Sequence, residues 1–308
     1  MRIKGSRIVV TGASSGIGRL SALALARRGA AEVWAVARSG KALDALATEH
    51  PVIRPEVLDL SDRSARRRFA DRLDGVDVLV NNAGIGWTGL IEDMPQEAVE
   101  RLFEVNVLAP IELTKAVLPG MLERRRGRIV NVTSAAAWVS LPPLGVYGST
   151  KWALQGFSEG LKRELNGRGV AVATINPGPV RTSFGESARS DNRPSDTLTG
   201  TRMPGVPTSW VARAVVRAVR LGALPGYQVI AVPRLMGLSR LGGAPITGWT
   251  VDLVSLATVR VRLAGRERGA EHSGDADGPG GPSRLSEATL DGPGLAANPG
   301  SQTEPVRR

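Results

Sequence analysis

Cysteine is absent from this 308-residue chain, which excludes disulfides, thiolate metal sites and cysteine nucleophiles. Histidine is nearly absent. His50 stands alone and His272 lies in a Gly/Pro-rich stretch, so neither a multi-histidine zinc site nor a Ser-His-Asp triad is expected. There are two tyrosines, Tyr147 and Tyr227, and five lysines: Lys4, Lys41, Lys115, Lys151 and Lys162. Acid–base chemistry must therefore draw on few side chains. Long apolar runs are also lacking: Leu241 to Leu256 is broken by Gly, Pro and Asp252, too interrupted for a membrane span of about 20 apolar residues. The segment Met1 to Gly5 leads straight into a strand-like run, which reads as no signal peptide and makes a cytoplasmic enzyme the expectation.

Arginine is abundant, and the net charge is +11. Such a charge attracts polyanions. Residues 265–308 hold five Arg against seven Asp/Glu, so the excess lies in residues 1–264. Part of it forms the runs Arg66-Arg67-Arg68 and Arg124-Arg125-Arg126. No aromatic residues interleave with these arginines to stack bases, so solvated helix surfaces are expected and nucleic acid is not.

Strand-like and helix-like segments alternate. Strands are expected at Arg7 to Val10, Glu32 to Ala37, Val52 to Leu60, Val76 to Val80, Arg128 to Val132, Val170 to Ile175 and Tyr227 to Val232. Helices are expected at Gly16 to Arg28, Leu43 to Glu49, Ser64 to Leu73, about Glu97 to Leu118, Val146 to Asn166 and Ser209 to Leu221. Parallel strands need crossovers and bury both faces, so the pattern predicts an α/β, doubly wound, Rossmann-like sheet of about seven strands in a single domain. That domain is expected to span 1–235, with a substrate loop at 183–207 and an extension at 236–264. Residues 265–308 contain nine Gly, five Pro and no aromatic, and read as a disordered tail.

Thr11-Gly12-Ala13-Ser14-Ser15-Gly16-Ile17-Gly18 stands where the first strand turns into the first helix. Glycines there let backbone approach a pyrophosphate, whose charge the helix N-terminus favours. The second strand ends Ala35-Val36-Ala37-Arg38, where an NAD enzyme would carry an acid for the ribose hydroxyls. Ala37 removes that carboxylate and Arg38 can fork onto a 2′-phosphate, so NADP(H) is the preferred cofactor, with NAD(H) as the alternative. Asp59, in Leu58-Asp59-Leu60 at the end of the third strand, could accept a hydrogen bond from an adenine amino group.

Tyr147 precedes Lys151 by four residues, so on a helix the phenol and the ammonium share a face. A nearby ammonium and an oxidised nicotinamide both favour phenolate, which suits Tyr147 to exchange a proton with a carbonyl or alcohol oxygen. Ser134 follows the strand Ile129 to Thr133, where its hydroxyl could donate to a substrate oxygen gaining charge; a cap or loop hydroxyl is the plainer reading.

Taken in order, Thr-Gly-x3-Gly-x-Gly, Asn81-Asn82-Ala83-Gly84, Ser134, Tyr147-x3-Lys151 and Pro177-Gly178 resemble the short-chain dehydrogenase/reductase family over roughly residues 5–235. The resemblance implies Tyr147 as general acid/base, Lys151 as its pKa-lowering partner and ribose ligand, and Ser134 as orienter of the substrate carbonyl. It also implies that Asn106, in the long middle helix, supports a water-linked proton relay. By the same resemblance Gly12, Ser14, Ser15, Gly16, Ile17, Gly18, Asp59 and Leu60 contact the cofactor. Asn82, Ala83 and Gly84 would border its adenosine part, and Pro177, Val180 and Thr182 its nicotinamide. A homo-oligomer, dimer or tetramer, is implied by resemblance alone. With Trp138, Leu141, Pro142 and Leu144 after Ser134, an apolar carbonyl or secondary alcohol is the expected substrate. The alternative is a cofactor-sensing binding protein on the same fold, docking a polyanion or, through Leu235 to Leu263, a membrane surface.

Overall fold

The computed structural model describes residues 1–139, 142–180, 205–221 and 229–233. Seven strands form one parallel sheet: β1 (Arg7–Thr11), β2 (Glu32–Ala37), β3 (Ile53–Val57), β4 (Val78–Asn81), β5 (Gly127–Val132), β6 (Val170–Pro177) and β7 (Val229–Val232). Their order is β3-β2-β1-β4-β5-β6-β7, with Val9 registered on Trp34 to one side and Leu79 to the other. The chain reverses its direction of travel across the sheet between β1 and β4, the switch point beyond whose carboxyl ends doubly wound sheets form their ligand crevice. Seven α-helices accompany it among the described residues: α1 (Gly16–Ala26), α2 (Gly40–Ala47), α3 (Arg63–Ala70), α4 (Gln96–Phe103), α5 (Ala109–Glu123), α6 (Gly145–Glu164) and α7 (Thr208–Leu221).

Alternate strand residues feed two cores. Ile8, Val10, Val78 and Val80 pack with Leu25, Val215 and Val219 of α1 and α7. Val9, Leu79 and Ile129 pack on the other face with Phe69, Leu113, Val117 and Leu161 of α3, α5 and α6. Because both faces are covered, the central strands are continuously apolar, as the sequence pattern predicts.

Several boundaries differ from expectation. β3 stops at Val57, so Asp59 and Leu60 stand beyond the strand rather than at its end. The long middle helix reaches Glu123 and is not uniform, since a π-helical turn, Glu104–Leu108, joins α4 to α5 with the Ala109 N–H bonded to the Glu104 carbonyl. Pro110 supplies the reason: it has no N–H for the Asn106 carbonyl four residues back, and its ring crowds that carbonyl. The continuous helix 96–123 is long and apolar enough, by length and composition, to cross a membrane, but half of its most apolar window is buried, as in a core helix. The basic run Arg66-Arg67-Arg68 is not a solvated face throughout, because Arg66 is 2% exposed and paired with Glu104 and Glu112. Helical periodicity turns one residue of the run inward while Arg67 and Arg68 stay outside. The expected substrate loop (apart from its last residues), extension and tail lie outside the described residues, as do Leu141 and Thr182.

Candidate active site

Gly12 and Gly16 have φ of +67° and +54°, which side chains disfavour, so the turn from β1 into α1 needs glycine at both. Gly18 is required by space instead: a Cβ there would collide with the Gly12 carbonyl and the Asn82 amide. Ser15, the N-cap of α1, makes no side-chain capping bond, and no acid occupies the first turn. The amino end of α1 therefore keeps N–H donors and positive dipole for an anion, and the cradle suits a pyrophosphate. Thr11, which the motif contains but whose part is not legible in sequence, ties this turn to β4. Its Oγ1 accepts the N–H groups of Asn82 and Ala83, both at 3.0 Å, while Asn82 Nδ2 donates to the Thr11 carbonyl at 2.9 Å.

Arg38 is exposed immediately after β2, and its charge bears on Asp59. Asp59 is bound by Ser61, whose N–H and hydroxyl donate to Oδ1 at 2.9 and 2.7 Å. Partial burial would raise its pKa, but the Ser61 hydrogen bonds, Arg101 and Arg38 together hold it below the usual carboxylate range. Buried Leu60 offers its carbonyl to Arg66. Across the crevice, the Gly178 N–H donates to Val232 at 2.9 Å, and Val180 bridges to Val206, which fixes the loop after Pro177.

Tyr147 and Lys151 lie on the inward face of α6, 9% and 3% exposed, with Lys151 Nζ 5.8 Å from the phenol ring centroid. Ser134 follows β5 in extended backbone and does two things. Its Oγ caps the short turn Ala135–Ala137 by accepting the Ala136 N–H at 3.1 Å, and the same hydroxyl hydrogen-bonds the Tyr147 phenol. The plain cap reading and the functional one are thus both present. Nζ donates to the Val132 carbonyl at 3.4 Å.

Burial dominates the electrostatics of both groups. Burial pushes the Tyr147 phenol up to about 12, opposed by its Ser134 hydrogen bond, and burial pushes Lys151 down to about 8. The phenol is held neutral, because desolvation of its anion outweighs what the Ser134 hydrogen bond returns.

Asn106 is fully buried at the middle of the π turn. Its Oδ1 accepts the Ile85 N–H at 2.9 Å, and its Nδ2 donates to the Ile85 carbonyl at 2.9 Å and to Thr150 Oγ1 at 3.0 Å. Thr150, one residue before Lys151, in turn donates to the Tyr147 carbonyl at 2.7 Å. Thr150 is a second organising residue not singled out in sequence; its place inside the Tyr-x3-Lys span was the available signal. A Cβ on Gly84 would stand 3.2 Å from both Asn106 Oδ1 and Lys151 Nζ, so Gly84 lies at this chemical end of the crevice. One site thus holds Asn106, Ser134, Tyr147, Lys151 and Gly84.

Fold and site together define a dinucleotide-binding α/β protein with a buried tyrosine–lysine–serine constellation. The short chain dehydrogenase family profile matches residues 6–193, and the chain belongs to that family, whose members are NAD(P)-dependent oxidoreductases acting on small carbonyl/alcohol substrates. Among relatives, 2-keto-3-deoxy-L-fuconate dehydrogenase of Xanthomonas campestris is 41% identical over 191 residues, 61% of this chain and 63% of that enzyme, so the match spans less than two thirds of its length. Human L-xylulose reductase is 38% identical over 64% of this chain and 80% of its own. Among solved structures, a short-chain dehydrogenase from Streptomyces avermitilis matches with TM-score 0.69 and 30% identity, covering 88% of this chain and 99% of that one. A Burkholderia cenocepacia short chain dehydrogenase in complex with NADP matches with TM-score 0.68 and 25% identity, over 82% and 99%.

Proposed function

We propose that the protein moves a hydride between NADP(H) and an apolar carbonyl/secondary alcohol pair, with Tyr147 as general acid/base. The observation that carries this reading is the buried contact of Ser134 with Tyr147, one helical turn from Lys151. A nicotinamide bound there would supply or take up the hydride. Ser134 holds the substrate oxygen by hydrogen bonding, and Tyr147, neutral at physiological pH, donates its proton to that oxygen as it gains charge. Lys151 binds the nicotinamide ribose, and Asn106 with the Ile85 carbonyl supports the route by which Tyr147 regains its proton. Gly12, Ser14, Ser15, Gly16, Ile17 and Gly18 hold the pyrophosphate, while Asp59, Leu60, Asn82 and Ala83 border the adenosine. Pro177, Val180 and Thr182 take the nicotinamide end. Buried Trp138 beside Ser134 supports an apolar substrate. Exposed Phe103, Leu108 and Trp152 on the long helices support self-association, which light scattering would measure.

NADPH oxidation, screened over apolar aldehydes and ketones, tests the reading. Tyr147→Phe is expected to lower kcat by roughly 10²- to 10⁴-fold, the usual worth of a positioned acid, while NADPH still binds. Turnover within a few-fold of wild type would refute the mechanism.

Arg38 supports the preference for NADP(H) over NAD(H), because it is exposed at the end of β2 where no acid stands. A hydrogen bond to a charged group contributes about 1.5–3 kcal/mol, so Arg38→Ala should cut kcat/KM for NADPH roughly 10- to 100-fold and leave that for NADH nearly unchanged. Equal effects on the two cofactors would count against a phosphate contact.

A further inference from the structure

Arg66 is the most deeply buried arginine among the described residues, and nothing in the proposed chemistry uses it. All three of its nitrogens are engaged. Nη1 donates to the Leu60 carbonyl, Nη2 to Glu104 Oε1 at 2.6 Å, and Nε to Glu112 Oε2. Arg63, one turn away, donates to the second oxygen of Glu104 at 2.8 Å. Glu104 opens the π turn and Glu112 lies beyond it in α5.

The spacing of the two glutamates is informative. In a regular α-helix, each residue turns the chain about 100°, so a residue eight positions on stands about 80° around the axis. A π turn absorbs one extra residue. Glu112 then takes the place that the seventh residue has in a regular helix, about 20° from Glu104, and one guanidinium can meet both carboxylates. In an uninterrupted α-helix the two would diverge, and one would leave Arg66. The ion pairs therefore form together only when the π turn is present. Within that turn Asn106 points the other way, onto Ile85 and Thr150, the residue bonded to the Tyr147 backbone.

We infer that Arg66, clamping Glu104 and Glu112 across the π turn, is a positioning residue that sets the register of Asn106 and so its contacts with Ile85 and Thr150. Leu60, the third partner, neighbours Asp59 at the expected adenosine end, so the same guanidinium ties the segment after β3 to the π turn and α5. The catalytic part of this inference rests on the proposed role of Asn106; the structural part does not.

Two readouts on the full chain separate these parts. Hydrogen exchange is compared for wild type, Arg66→Met and Glu112→Gln, the last removing the charge from one arm of the clamp at a partly exposed position and so guarding against loss of the fold in the first. Exchange at Ile85 and residues 104–109 is expected to quicken at least tenfold in both variants, with β1 and β4 as protected as in wild type. Unchanged exchange in these segments, or acceleration spread evenly over the sheet in both variants, would overturn the clamp. Steady-state NADPH oxidation, with the best carbonyl from the screen above, is expected to show kcat about tenfold lower in Glu112→Gln and KM for NADPH within twofold. On an Asn106→Ala background, Glu112→Gln should lower kcat no further; full additivity would sink the link to Asn106. An unchanged kcat in Asn106→Ala itself would remove the relay from the proposed function, with the exchange data still deciding the clamp.

Discussion

Lys151 shows how burial reshapes a residue whose identity is plain in the sequence. Its pKa is lowered to about 8, so between that pH and its unfolded value near 10.5 the unfolded chain binds the proton and the native one releases it. Stability contributed by this group is therefore lowest below pH 8 and rises as pH climbs toward 10.5. Calorimetric melting of the cofactor-free protein from pH 7 to 10 should show that rise in wild type relative to Lys151→Met. A difference that stays flat with pH would mean that Lys151 titrates normally. Gly18 is the opposite case, a residue whose role is steric. Gly18→Ala drives a methyl into the Gly12 carbonyl and is expected to abolish NADPH binding at micromolar cofactor, measured by fluorescence titration, while far-UV circular dichroism stays native. The Gly-rich spacing made these glycines legible. That burial alone pushes the Tyr147 phenol up was not legible, since desolvation depends on what the fold packs around it.

Elements are positioned by polar ties at the strand ends as well as by apolar faces. Thr11 closes β1 against β4, and Asn81 Nδ2 donates to Asn131 Oδ1 at 2.9 Å, while Asn131 Nδ2 donates to Ser158 of α6 at 2.8 Å. This chain fastens β4, β5 and α6, and with them Tyr147 and Lys151, to the sheet. Asn131→Leu removes two buried hydrogen bonds, each worth about 0.5–1.5 kcal/mol, and leaves Asn81 Nδ2 with only the Pro110 carbonyl at 3.5 Å and Ser158 with only the Leu154 carbonyl at 2.6 Å, so it should lower the denaturation midpoint more than Val130→Ala does. The reverse order would show that apolar packing alone holds α6. Strand and helix order follows from hydrophobic period, which is why seven strands could be read in advance. The π turn could not, although Pro110 marks it: a proline inside a helix predicts strain at the carbonyl four residues back, but not which local geometry relieves it.

Over the whole molecule, the sequence suffices where chemistry is local. Scarcity of histidine and cysteine, the glycine spacing at the first turn and the four-residue separation of Tyr147 and Lys151 determine the kind of reaction available, because each depends on residue type and near neighbours. The low apolar content of residues 265–308 is local in the same sense. A chain ending at residue 264 is expected to keep the thermal midpoint and NADPH affinity of the full chain, and a drop of several degrees would give the tail a structural part. The +11 net charge divides differently from what composition implies, since Arg66 is interior and paired while its neighbours are outside. Only tertiary structure decided that Ser134 both caps a turn and touches Tyr147, that Gly84 lies between Asn106 and Lys151, and that Glu104 and Glu112 face one guanidinium. Those facts join residues from 8 to more than 60 positions apart, and hydrophobic periodicity and motif spacing do not specify contacts at that range; packing and desolvation do.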